Sequence, residues 1–175
     1  RIVGGAWRSR LIDVAAAAGL RPTPDRVRET LFNWLGQDLA GWACLDLFAG
    51  SGVLGFEAAS RGGDPVTLVE RDPKVHALLV KAGKTLQAAQ VEAVRADAVK
   101  FCAFSPRRYD LVFLDPPYHQ GWLAKIEPLL DGILDPGGWL YAEAEDPVES
   151  LGAWSAVKRG QAGQVHFQLL RRGEA

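Results

Sequence analysis

The sequence contains no methionine. Residue 1 is therefore not expected to be the natural start, and a few residues are expected to precede it. Cysteine is scarce. Cys44 and Cys102 form no CxxC pair, and His76, His119 and His166 are scattered rather than grouped near them. That spacing suggests neither a zinc site nor a Cys–His nucleophile pair, and it fits two reduced core thiols in a cytoplasmic protein. No run of about 18 apolar residues is present, so no membrane-spanning helix is expected. The opening RIVGGAWRSR lacks the apolar centre of a secretory signal. Internal repeats, low-complexity tracts and a clear linker are missing as well. What remains is a chain of 175 residues, 48% hydrophobic and 23% charged. That is enough for one well-buried core and too little for two.

An excess of one charge is also missing. A net charge of −1 does not by itself advertise a nucleic-acid partner. The arginines are unevenly placed, however. Arg1, Arg8, Arg10, Arg21, Arg26 and Arg28 are set against only Asp13 and Asp25, and Lys158, Arg159, Arg171 and Arg172 cluster near the end. A basic edge on a neutral body is the footprint of a phosphate-binding surface; the plainer reading is a set of solvated arginines.

RIVGGAWRSRLIDV has a Gly-Gly between two short β-type runs and predicts an N-terminal hairpin. In GLRPTPDRVRETLFNWL, Thr23 can cap a helix whose first position suits Pro24, and Val27, Leu31, Trp34 and Leu35 share one face. From residue 42 strands and helices alternate. ACLDLF, PVTLVE, VEAVRA and YDLVFL read as strands. VLGFEAASRG, RDPKVHALLVKAGKTLQAA (Asp72 as cap, Pro73 first) and DAVKFCAF read as the helices between them. QGWLAKIEPLLDGIL is helical with a break expected at Pro128. GGWLYAEA is a strand, and WSAVKRG with GQVHFQLLRR makes a closing hairpin through GQAG. The pattern predicts an α/β fold: a mostly parallel, seven-stranded sheet, helices on both faces, and one antiparallel strand from the C-terminal hairpin. Such sheets bind ligands beyond the carboxyl ends of their strands, near the point where the strand order reverses.

Four strand ends carry the chemistry. The first runs through Asp46 into Phe48-Ala49-Gly50-Ser51-Gly52 and on to Gly55, a GxGxxG match. Glycines there allow a sharp turn and a close ligand, with a helix N-terminus behind; a plain structural turn is the competing reading. A pyrophosphate gains from a site without an adjacent carboxylate, so Asp46 suits a ligand bearing an ammonium group instead. The second strand ends at Glu70, twenty positions after Gly50, the spacing at which an acid accepts from ribose hydroxyls. The third runs into Asp97, which accepts from an adenine amino group or caps the short helix that follows. The fourth ends in Asp115-Pro116-Pro117-Tyr118. A carboxylate, a carbonyl without a competing N–H and a flat ring match a planar group bearing an NH₂.

Together these ends resemble the class I S-adenosylmethionine-dependent methyltransferases, and the DPPY tetrapeptide resembles the mark of the branch that methylates exocyclic nucleobase amines. The likeness runs along the chain. RIVGGAWRSR, GLRPTPDRVRETLFNWL, LDLFAGSGVLGFEAASRG, VERD, FLDPPY and AGQVHFQLLRR are similar to the RsmD family, which methylates guanine N2 in bacterial 16S ribosomal RNA. The Pro128 helix and the stretch from Glu145 to Ser150 carry no matching motif. The resemblance implies a Rossmann-like methyltransferase domain over residues 21–175, preceded by a small β-hairpin arm over residues 1–20 that contacts RNA. It implies S-adenosylmethionine as cofactor, with its methionine part held by Asp46, Phe48, Ala49, Gly50, Ser51 and Gly52. Glu70, followed by Arg71, would hold the ribose, Asp97 with Ala98 the adenine, and Thr23 would close over them. Asp115, Pro116 and Tyr118 would receive the base, with Asp115 also edging the cofactor. Arg1, Arg8, Arg10, Arg21, Arg26, Arg28 and Arg159 would grip RNA. The expected partner is 16S ribosomal RNA within a small-subunit particle. No DNA, membrane or metal is implied, and the chain would act as a cytoplasmic monomer.

The implied chemistry is a direct in-line displacement. Asp115 and the Pro116 carbonyl accept the two N–H bonds of the amine and hold its lone pair toward the methyl group, on a base swung out of its stack. Three other readings account for part of the pattern. A DNA adenine-N6 methyltransferase shares the tetrapeptide but usually needs a separate recognition segment. A non-catalytic RNA-binding domain would not need the full set of site residues. A dinucleotide oxidoreductase explains GxGxxG and Glu70 and leaves Asp46 and DPPY without a role.

Overall fold

Alternating strand and helix from Cys44 onward builds one sheet in the computed structural model, which describes residues 1–12 and 23–173. The strands are β1 (Cys44–Asp46), β2 (Val66–Glu70), β3 (Val91–Arg95), β4 (Tyr109–Leu114), β5 (Leu134–Ala144), β6 (Ser150–Leu151), β7 (Trp154–Ala162) and β8 (Val165–Arg172). Their order is β3-β2-β1-β4-β5-β8-β7-β6. Neighbours from β3 to β5 are parallel, while β8 runs antiparallel to both β5 and β7. The order reverses between β1 and β4, the two strands that end at Asp46 and just before Asp115.

Both faces of this sheet are covered, which is why its strands read as unbroken apolar runs. Along β4, Leu111 and Phe113 enter the core packed under α1 (Asp25–Leu35), α2 (Val53–Ser60) and α3 (Pro73–Thr85). Val112 and Leu114 enter the opposite core, under α4 (Ala98–Ala103), α5 (Trp122–Ile126) and α6 (Leu130–Ile133). Among the described residues, no helix is long and apolar enough to cross a membrane.

Several expectations are met in detail. Asp72 caps α3, accepting from the Lys74 and Val75 amides, with Pro73 in the first turn. Pro128 ends α5; one 3₁₀ turn, Glu127–Leu129, separates it from α6. Others are corrected. The described residues make eight strands rather than seven, because Ser150–Leu151 adds a two-residue edge to β7. The C-terminal hairpin is tighter than GQAG, since Ala162 already pairs with Val165. Thr23 is not the cap of α1. Pro24 occupies that place without a side-chain bond, and the buried Thr23 hydroxyl donates to Glu143, 3.4 Å away.

The arm departs furthest from the sequence reading. Residues 1–12 contain no strand; Gly5–Trp7 forms a 3₁₀ turn. The Ile2 amide donates to the Arg10 carbonyl at 2.9 Å and the Ser9 amide to the Ile2 carbonyl at 2.8 Å. The amides that would continue a ladder are used by α2 instead. Val3 and Gly4 donate to the Glu57 carboxylate at 2.8 and 3.1 Å, and Trp7 donates to Ser60 Oγ at 2.9 Å. Ile2 is fully buried in the same core as α1 and α2. The expected boundary at residue 20 lies outside the described residues.

Gly5 explains the Gly-Gly. Its φ is +78°, and a Cβ there would sit 2.0 Å from the Ser60 carbonyl oxygen. Gly5→Ala should therefore destabilise the fold by about 2 kcal/mol or more. Gly83 lies in α3, and a Cβ added to it would meet nothing within 4 Å. Gly83→Ala should therefore stabilise by about 0.5–1 kcal/mol. Thermal unfolding of the two variants should move the midpoint in opposite directions.

Candidate active site

A cavity of about 770 Å³ opens at the carboxyl ends of β1, β2 and β4, at the point where the strand order reverses. Thr23, Asp46, Phe48, Ala49, Gly50, Ser51, Glu70, Arg71, Asp97, Ala98, Asp115, Pro116 and Tyr118 all line it. Gly52, counted with them from the motif, does not. It starts α2 with φ +80°, and a Cβ would lie 2.7 Å from Leu79 and 2.8 Å from Phe56. Its missing side chain serves packing behind the loop.

Asp46 is 1% exposed. Its Oδ2 accepts the Gly55 amide at 3.1 Å, while Oδ1 is buried without a partner among the described residues. Burial pushes its pKa up to about 7, against the Gly55 bond, and the charges of Glu70 and Glu143 push the same way. A buried acceptor left open is costly, and a cation placed against it recovers that cost. Glu70 ties the loop: it accepts the Gly50 amide at 3.0 Å and the Asp72 amide at 3.1 Å. The capping reading holds for Asp97. It caps α4 through the Lys100 amide at 3.1 Å and stands on the cavity wall.

Across the cavity the rigid turn after β4 presents Asp115, partly exposed, and Tyr118, 37% exposed. Burial holds the Asp115 carboxyl well above the usual carboxylate range; Glu143 and then Asp46 add to this. Burial, followed by Asp115, Glu143 and Glu145, raises the Tyr118 phenol. A smaller cavity of about 160 Å³ adjoins the first, sharing Pro116, Pro117, Tyr118, Trp122 and Glu143.

Sequence reasoning missed three contributors. Glu143, one position past the β5 partner of Leu114, reaches both cavities. Trp122 stands 5.4 Å from the Phe48 ring, with the Arg71 guanidinium 5.7 Å from its own ring. Ala162 and Val165 bring the β7–β8 hairpin to the rim. A lone acid near the end of the apolar GWLYAEA is the available signal for Glu143.

The arginines divide. Arg28 is a correction: it is 1% exposed. It pairs with Asp25 and Glu57 and donates to the carbonyls of Thr23 and Arg1. Arg1, Arg8, Arg10, Arg26 and Arg159 are exposed. Arg1 lies 3.4 Å from Asp25, Arg10 donates to the Thr85 carbonyl, and Arg159 pairs with Glu149. Arg21 lies outside the described residues. Cys44 and Cys102 are buried and unpaired, their thiols pushed up to about 12 chiefly by burial, so neither is a ready nucleophile.

The family model described as Conserved hypothetical protein 95 matches residues 1–171. Ribosomal RNA small subunit methyltransferase D of Escherichia coli (strain K12) is 42% identical over 98% of this chain and 89% of its own length. The protein of the same name from Haemophilus influenzae is 40% identical over 97% and 92%. The solved structure of Escherichia coli yhhF superposes with a TM-score of 0.89 at 42% identity, covering 100% of this chain and 98% of that one. An RNA methyltransferase from Salinibacter ruber in complex with S-adenosyl-L-homocysteine shares the fold, with a TM-score of 0.70 at 20% identity over 89% and 96% of the two chains.

Asp46 sets a pH signature for the ligand-free protein. Its carboxyl titrates at about 7 when folded and at about 4 when unfolded. Between those values the folded chain keeps a proton that the unfolded chain has lost, so stability falls as pH rises through the window. The raised Asp115 carboxyl acts in the same direction. Unfolding midpoints should be higher at about pH 5 than at about pH 8. Asp46→Asn, which cannot ionise, should reduce that slope, and an unchanged slope would assign it to other groups.

Proposed function

The chain belongs to the ribosomal RNA small subunit methyltransferase D family, and from that premise we propose how its pocket works on RNA. It is an S-adenosylmethionine-dependent enzyme that methylates the exocyclic N2 of a guanine in 16S ribosomal RNA, a task of the bacterial cytoplasm. The observation that carries the reading is a juxtaposition. A buried acid with an open oxygen, Asp46, and an amine clamp, Asp115 to Tyr118, open into one cavity.

The residues fit the cofactor. The free Oδ1 of Asp46 meets an ammonium group. Glu70, whose carboxylate is already oriented by two backbone amides, meets ribose hydroxyls. Asp97 and Ala98 edge the adenine, and Thr23 covers the methionine end. When bound, S-adenosylmethionine supplies an electrophilic methyl group. The chain does the rest by orientation. The guanine amine is a weak nucleophile because its lone pair is delocalised into the ring. Asp115 and the Pro116 carbonyl take its two N–H bonds and release the lone pair toward the methyl. Holding two reactants in line is worth about 7–11 kcal/mol at best, and acceptors fixed where positive charge develops add to it. A paired base cannot reach this depth, so the guanine is swung out, with Tyr118 as its stacking plate. The exposed Arg1, Arg8, Arg10, Arg26 and Arg159 hold the surrounding phosphates. The physiological substrate is the RNA within a small-subunit particle, and the enzyme acts as a monomer.

Two experiments test this. Labelled methyl transfer to small subunits lacking the modification, followed by nucleoside mass spectrometry, should yield N2-methylguanosine; N6-methyladenine would instead favour the DNA-type enzyme. In the same assay Asp115→Ala should lower turnover by about a hundredfold or more while cofactor affinity stays within a few-fold. Near-normal turnover would remove the clamp. Charge reversal at Arg8 and Arg10 should weaken RNA binding and reduce the slope of log affinity against log salt by about 2. An unchanged slope would move the footprint away from the arm.

A further inference from the structure

Glu143 has no role in the clamp as just described, yet it is 6% exposed and lines both cavities. Tyr141, two residues back on the same face of β5, donates its hydroxyl to Glu143 Oε1 at 2.5 Å, and the Thr23 hydroxyl donates to the same oxygen at 3.4 Å. Leu114 pairs with Ala142 across β4 and β5, so Asp115 and Glu143, the next residue on each strand, come side by side on the wall of the same cavity. Two carboxylates have no proton to share, so that contact requires one carboxyl to be protonated. Two hydroxyls donate to Glu143, and burial raises the Asp115 carboxyl well above the ordinary range, which places the proton on the Asp115 side. The groups facing the pair are mostly acidic: Asp46 from β1, Glu70 from β2, Tyr118 after β4 and Glu145 after β5. Among the described residues, Arg71 on the cavity wall and His119, 3.6 Å from Glu145, are the basic ones.

We propose that Glu143 is a positioning residue for methyl transfer, holding Asp115 through a shared proton so that its outward oxygen stays aimed at the amine. The proposal rests on the methyltransferase reading above. It also gives the lost proton a destination. The nitrogen lone pair forms the N–C bond, the C–S bonding pair stays on sulfur, and one N–H proton passes to the Asp115–Glu143 pair. The pair goes from one proton and one negative charge to two protons and none. The sulfonium charge disappears in the same step, so the closed pocket holds no net charge from these groups before or after it. In a site of low dielectric that balance matters.

The test combines a titration with kinetics. Carboxyl carbon NMR of the ligand-free and cofactor-saturated protein should show Asp115 titrating well above the ordinary range. In Glu143→Gln, which keeps a hydrogen-bonding group but removes the like charge, it should move down by about a pH unit or more. Single-turnover transfer to small subunits should fall about tenfold or more in Glu143→Ala, with the Kd for S-adenosylmethionine changed less than about threefold, and Glu143→Gln should recover most of the rate. An Asp115 titration unmoved in Glu143→Gln, or a Glu143→Ala rate within about twofold of wild type, would overturn the proposal. If neither Glu143 variant folds, Tyr141→Phe removes one donor from Glu143 while keeping the ring. It should draw the shared proton toward Glu143, lower the Asp115 titration and slow transfer, and no change in either would also overturn the proposal. A wild-type protein with the raised, Glu143-dependent titration that methylates no 16S ribosomal RNA would sink the substrate reading and leave the carboxyl pair standing.

Discussion

The carboxylate of Glu57, in the middle of its helix and fully buried, accepts N–H bonds from four groups. The Val3 and Gly4 amides come from the arm, the Arg28 guanidinium from α1 and the Arg61 guanidinium from the end of α2. Each of these elements also buries apolar side chains, Ile2 from the arm, Leu31 and Phe32 from α1 and Phe56 from α2, but apolar burial is non-directional. α1 buries only one face, the arm forms no ladder, and the Arg61 guanidinium spreads over the Phe32 ring, 4.5 Å from its centroid. A buried ion pair adds little stability against a well-packed apolar alternative, yet removing one partner costs about 3–5 kcal/mol. Glu57 therefore acts as a register pin. It selects one placement of the arm and α1 among several that hydrophobic burial alone would tolerate.

That pin reaches the pocket. Arg28 donates to the Thr23 carbonyl at 3.2 Å and to the Arg1 carbonyl at 2.7 Å. The Thr23 hydroxyl then donates to Glu143, which lies against Asp115. The arm that carries the exposed arginines and the Thr23 wall of the cavity are thus tied to the same guanidinium. Charge is sorted along this line. Cations stand outside on the arm, and carboxyl groups crowd the strand ends inside. An acid-lined interior repels phosphate. The same interior welcomes a cofactor whose reactive end is positive.

How much of this can be read from the chain depends on where each residue's partner lies. The four strand ends are legible because each site residue ends the strand that presents it or lies within two positions of that end, and the apolar run announces the strand. Asp46, Glu70 and Asp115 are found this way. Glu143 is not, because its importance comes from lying beside Asp115 across a β4–β5 pairing that no local pattern specifies. Thr23 reads as a cap because a threonine before Pro24 is a good one, but a buried acceptor 120 residues away outcompetes the helix amides. Arg28 reads as a surface residue for the related reason that sequence gives charge and not depth. Arg26 and Arg28 share a helix, and only Arg28 faces Glu57. The Gly-Gly of the arm suggests a hairpin turn, whereas its cause is the close approach of Ser60.

The shared use of Arg28 also limits which parts can change independently. A substitution there would loosen the arm through Arg1 and Glu57 and the cavity wall through Thr23 at the same time. Changes at Arg8 or Arg10 lie beyond the pin and leave Thr23 where it is. Changes at Glu143 lie on the other side, inside the pocket, and leave the arm in place. The carboxylate of Glu57 thus stands between the arm with its exposed arginines and the cavity lined by Asp46 and Asp115. The segment joining them, from Thr23 to Arg28, is the part held by both.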